Sequence, residues 1–142
     1  MRLCGLALML VSASDLMLVA GSPVFLGSKS TRNLSFADVD HSSWTVLLSK
    51  YVDQNGMVDY RTWKATPVDV QALKTYLHEL SSATSKVAAS KEAKLAFWIN
   101  AYNAVTIRGI LREYPTTSIR NHTPKLFGYH IWHDLKLYVG EN

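Results

Sequence analysis

A single cysteine, Cys4, is all the thiol that this chain carries. No intrachain disulfide can form. Cys4 also falls in an N-terminal stretch expected to be removed, which would leave a mature chain with neither a thiolate metal site nor a thiol nucleophile. Charge is sparse as well: Asp, Glu, Lys and Arg make up 18% of the residues, and no two basic residues are adjacent. The net charge of +4 comes from 15 Lys and Arg against 11 Asp and Glu. Nucleic-acid-binding domains concentrate cations in a denser stripe, so no nucleic-acid partner is expected. Arg108, Arg112 and Arg120 read as a solvated face or as partners of local carboxylates. No internal repeat and no HExxH pattern is present.

Metal chemistry has little to stand on. His130 and His133 are three apart, and on a strand such residues point to opposite faces. Asp53-Gln-Asn-Gly-Met-Val-Asp-Tyr resembles the middle of a calcium loop, with Gly56 at the sharp turn. In that register the first position is Tyr51 and the twelfth is Thr62, so the opening carboxylate and the bidentate glutamate are missing. The stretch is expected to be a helix-to-turn connection. No metal, cofactor or catalytic residue is assigned.

The first 21 residues have the form of a signal peptide. Arg2 gives a positive start, Leu3 to Val11 an apolar run, and Val19 with Gly21 a small-residue cleavage pattern. Asp15 interrupts that pattern, and a retained transmembrane helix would need about 20 largely apolar residues. The expectation is an exported protein, periplasmic or secreted, with no transmembrane span in the mature chain.

What the sequence does hold is a core. Apolar residues make up 48% of its 142 residues, including four Trp, seven Tyr and four Phe. That suffices for one globular domain. Residues 22–40, rich in Ser, Gly and Asn, read as a linker. Trp44, Leu47, Leu48 and Tyr51 fall at helical spacing and predict a helix over Ser42 to Val52. Asn55-Gly56 is a turn, and Met57 to Arg61 a short extended piece. A second helix is expected from Thr66, with Pro67 at its first position, Asp69 as a capping acid, and Val70, Leu73, Leu77 and Leu80 as its buried face. Ser81 to Ser90 is a small-residue loop. Leu135, Leu137 and Val139 alternate as on a strand.

The longest helix is predicted from Lys91, capped by Ser90, to Tyr114, with Pro115 forbidding continuation. Its middle, Ala96-Phe-Trp-Ile-Asn-Ala-Tyr-Asn-Ala, is apolar on nearly every side, so burial of most faces is expected. Asn100 and Asn103 share a face, and a buried amide without partners costs about 1–3 kcal/mol. They should therefore tie neighbouring backbone, or else orient a ligand. Trp98 and Tyr102 form another face with Leu95 and Val105, expected to be core rather than a ligand platform. The binding candidates are Asn100, Asn103, Trp98 and Tyr102.

This nine-residue motif resembles the hallmark of the family catalogued as domain of unknown function 547. Trp44 with Leu47-Leu48, Gly56 with Val58-Asp59-Tyr60, Tyr114-Pro115, Ser118-Ile119, Trp132 and Val139-Gly140 agree with it in order and spacing. The resemblance implies further chain beyond Gly140, with a His-Phe pair and a cysteine, where a thiol hydrolase or acyl-transfer activity is suspected by fold analogy. The expectation is an α+β fold: the helix-dominated N-terminal portion of one domain (41–142), truncated on its C-terminal side, with an incomplete small β part. Function is read as non-catalytic. The alternatives are an enzyme whose catalytic half lies elsewhere and a helical binding module.

Overall fold

The computed structural model describes residues 23–116 and 134–140. The expected signal peptide, His130, His133 and Trp132 lie outside the described residues. In chain order the elements are β1 (Val24–Leu26), α1 (Ser42–Tyr51), α2 (Tyr60–Lys64), α3 (Pro67–Leu80), α4 (Lys91–Glu113) and β2 (Leu135–Leu137). The fold is α+β and helix-dominated, with a two-stranded parallel sheet.

α1 buries Trp44, Leu47 and Tyr51, the stripe its spacing predicts. Between α1 and α2 the chain turns at Gly56, whose φ of 77° is cheap only for glycine. Asp53 Oδ1 accepts the backbone N–H groups of Asn55 (2.9 Å) and Met57 (2.8 Å). Asp59 Oδ1 accepts that of Thr62 at 3.0 Å and so caps α2. Hydrogen bonds from Thr62, first from its side chain and then from its backbone N–H, hold the Asp59 carboxyl below its ordinary range. The calcium-loop resemblance thus resolves into a turn whose carboxylates serve the backbone. Met57 to Arg61 is not one extended piece: Val58 makes an antiparallel bridge to Val52, and Tyr60 already begins α2.

α3 starts at Pro67 as predicted, but Thr66 does not cap it with its side chain. Its hydroxyl donates instead to the Thr62 carbonyl at 2.8 Å. Asp69 reaches α1, accepting from the Tyr51 hydroxyl at 2.5 Å and pairing with Lys50. The Lys50 ammonium, and after it the Tyr51 hydroxyl, hold the Asp69 carboxyl below its ordinary range. α3 buries Leu73, Tyr76, Leu77 and Leu80, while Val70 is only partly covered.

Aromatic rings fill the space between these helices. Trp44 stacks on Tyr76 (centroids 5.3 Å apart) and Tyr51 on Trp63 (4.6 Å). Stacked pairs of this kind add about 0.5–1.5 kcal/mol beyond their buried area. His41 Nδ1 lies 2.6 Å from the Tyr76 hydroxyl. Burial pushes the histidine pKa down and the tyrosine pKa up.

Ser90 caps α4, its hydroxyl accepting the Ala93 N–H at 3.1 Å. Near the other end, Lys64 Nζ donates to the Leu111 carbonyl at 2.5 Å, satisfying an acceptor in the last turn, where the helix dipole favours a cation. Phe97, Ala101, Ala104, Ile107, Ile110 and Leu111 form its buried stripe.

The segment expected to be a linker is instead part of the fold. Val24, Phe25 and Leu26 pair with Leu135, Lys136 and Leu137 in β2. Leu34 bridges Ala83, with its N–H on the Ser82 carbonyl at 2.9 Å. Leu26, Phe36 and Val39 are buried in the core. A Ser- and Asn-rich composition set the wrong expectation, because a few apolar anchors and long-range backbone pairing are enough to seat such a segment. It also supplies the partner for β2, a role that Met57 to Arg61 does not fill.

Candidate functional site

α4 is not buried on most faces. Leu95 is 63% exposed, Trp98 49%, Ile99 51% and Tyr102 58%. At 100° per residue these four lie close to opposite the buried stripe. The expectation that Trp98, Tyr102 and Leu95 are core is therefore corrected, with Val105 alone partly packed against the core. The reason is geometric. Among the described residues α4 packs mainly against α3 and α2, which cover one side of it.

Asn103 is exposed and Asn100 half-buried. Water therefore reaches Asn103, and the desolvation cost that demanded a protein partner does not arise there. Among the described residues no hydrogen bond to either side chain is present.

Trp98 leads into a cleft of ≈ 230 Å³. Its ring lies 5.9 Å from that of Phe36, tilted by 48°, so the two form an aromatic wall. Facing it are Thr84, Ser85 and Lys86 from the loop before α4, and Val139 with Gly140 after β2. The frame is tied from several directions. Thr84 donates its N–H to the Leu34 carbonyl at 3.0 Å, and its hydroxyl accepts the Lys86 N–H at 3.2 Å. The Ser35 hydroxyl donates to the Ala88 carbonyl at 2.8 Å. Gly140 has a φ of 72°, and a Cβ there would approach Thr84 Oγ1 to 3.5 Å. Of the four candidate residues, the structure brings only Trp98 to this cleft; Tyr102 extends the exposed stripe one turn on, and Asn100 and Asn103 line neither.

Sequence reasoning missed Phe36, the Thr84–Lys86 loop and Gly140. The one signal for Phe36 was its place among Leu34 and Val39 in an otherwise polar stretch. A larger cleft of ≈ 320 Å³ lies beside the Asp53–Asp59 turn. Its carboxylates already accept backbone N–H groups, and among the described residues no three His, Cys, Asp or Glu side chains are grouped to hold a metal.

Residues 87–140, less than half of the chain, match the profile of a family described as "Protein of unknown function, DUF547". The match runs from the loop before α4 to the glycine beside the Trp98 cleft. No match was found among curated proteins or among solved structures. Among the described residues no helix is long and apolar enough to cross a membrane.

Proposed function

We propose that this protein is an exported, non-catalytic binding module whose α4 face holds an amphipathic helix of a partner polypeptide. The observation that carries the reading is the exposed row Leu95, Trp98, Ile99 and Tyr102, joined through Trp98 to a framed cleft. Contiguous apolar surface of this kind marks interaction sites. Its spacing is that of a helix ridge, which suits the groove of a second helix. The cleft's ≈ 230 Å³ is below the roughly 300–1,000 Å³ typical of small-molecule pockets and suits one inserted side chain. Lys91 stands one turn before Leu95 on the same row, so the partner should carry a carboxylate at that end. Export rests on the arrangement of Arg2, Leu3 to Val11, Val19 and Gly21.

A displayed library of helical peptides, selected against the full chain, tests this. Enriched peptides should share apolar residues at i, i+3 or i+4 and i+7 with an acidic residue at one end. Trp98→Ala should weaken them about tenfold or more, as loss of an interface anchor does. No enrichment, or peptides that bind the variant equally well, would refute the reading.

A further inference from the structure

The turn between α1 and α2 presents an asparagine followed by a glycine, Asn55-Gly56, at the surface. Both residues are exposed, and a Cβ built on Gly56 would meet nothing within 4 Å. Glycine supplies the φ of 77° that this turn needs. It also leaves the backbone nitrogen of residue 56 unshielded by a side chain. Asparagine is one of the thermolabile residues of proteins. Its amide is lost when the next residue's backbone nitrogen attacks the side-chain carbonyl carbon, and that attack needs an open, adaptable backbone.

The other asparagines among the described residues are hindered in this reaction. Asn100 and Asn103 lie inside α4, where the nitrogens of Ala101 and Ala104 are held in the helical ladder. Leu34, which follows Asn33, donates its N–H to the Ser82 carbonyl at 2.9 Å and carries a branched side chain. Asn55 is restrained as well, but only from within its own turn. The Gly56 N–H donates to the Asp53 carbonyl at 3.0 Å, and the Asp53 N–H donates to the Met57 carbonyl at 3.0 Å. Asp53 Oδ1 accepts the N–H groups of Asn55 and Met57 at 2.9 and 2.8 Å. Every one of these bonds closes between residues 53 and 57. Opening so local and exposed a unit takes far less free energy than unfolding the domain.

We propose that Asn55 deamidates spontaneously in the folded protein, at a rate set by the Asp53 clamp on the turn. When the turn opens, the Gly56 nitrogen gives its proton to solvent base and bonds to Asn55 Cγ. The bond from Cγ to the side-chain nitrogen breaks, and that nitrogen leaves as ammonia. A five-membered succinimide ring remains, and water then adds to one of its two carbonyls. Opening at Cγ gives aspartate at position 55. Opening at the main-chain carbonyl gives isoaspartate, in which the chain runs through the former side chain. One water enters and one ammonia leaves; nothing is oxidised or reduced. Either product places a new carboxylate between Asp53 and Asp59. Isoaspartate also lengthens the main chain between Val52 and Val58, which are bridged across the turn. The junction between α1 and α2 therefore loosens as the protein ages.

The test is a time course of the full chain in warm, mildly alkaline buffer, followed by mass spectrometry of its peptides. The peptide carrying Asn55 should gain one dalton before those carrying Asn33, Asn100 or Asn103, with isoaspartate among the products. Asn55→Gln should remove that early gain. Asp53→Ala, which deletes the side-chain acceptor, should speed the conversion several-fold. Asp53→Asn keeps an acceptor oxygen and should stay nearer the wild type. Circular dichroism beside each time course checks that the chain is folded. Another asparagine converting first, or an Asn55 that stays intact while the urea-unfolded chain converts, would overturn the site. Equal rates in the wild type and the folded Asp53 variants would overturn the role of the clamp.

Discussion

The two sides of α4 are built from the same kinds of residue and have opposite fates. Phe97, Ala104 and Leu111 are wholly buried, whereas Trp98 and Ile99, their neighbours in sequence, are half exposed. The buried side mixes one large ring with the small residues Ala101 and Ala104 and the aliphatic Ile107, Ile110 and Leu111. The exposed side carries only large apolar groups at its centre. Apolar content therefore does not decide which side of a helix makes the core; the neighbouring elements do.

Substitutions should separate the sides. Phe97→Ala removes a fully buried ring in contact with Phe36 (centroids 4.7 Å apart) and should cost about 3–5 kcal/mol in chemical unfolding. Trp98→Ala should cost only about 1 kcal/mol, the scale of its ring contacts with Phe36 and Phe97. Equal losses from the two would erase the distinction.

A pH series sharpens it further. His41, on the core side, has its pKa lowered by burial from 6.5. The folded state thus takes up its proton later than the unfolded chain. Stability from this group is full above about pH 6.5 and is lost as pH falls through the lowered value. The melting temperature should drop over that window in the wild type and less in His41→Gln; identical profiles would contradict the assignment. The smallest effect is at Asn103. An exposed mid-helix Asn replaced by Ala should gain roughly 0.5 kcal/mol from helix propensity. A loss in the same unfolding assay would mean that the amide has a structural partner.

Much of the helical frame was legible in the sequence. The spacing of Trp44, Leu47 and Tyr51, Pro67 at a helix start, and Ser90 with Pro115 around α4 are local signals, and local geometry obeys them. β1 was not legible, because its three residues acquire meaning only by pairing with Leu135–Leu137 at the far end of the described chain. α2 was hidden by its length of five residues and is held by the Asp59 cap and by buried Trp63. The α4 face was misread for a related reason: periodicity finds apolar rows but not what stands opposite them. The same limit hid the Trp98 cleft, whose walls come from the 34–36 segment, the loop before α4 and the residues after β2.

The central claim is that one side of α4 serves the fold and the other serves a partner. Its most direct measurement pairs two readings on Trp98→Ala: the melting temperature, and the dissociation constant for a peptide selected against the wild type. The account predicts a melting temperature within a few degrees of wild type, the scale of about 1 kcal/mol, alongside at least about tenfold weaker binding. Unchanged affinity, or unfolding as severe as in Phe97→Ala, would contradict it.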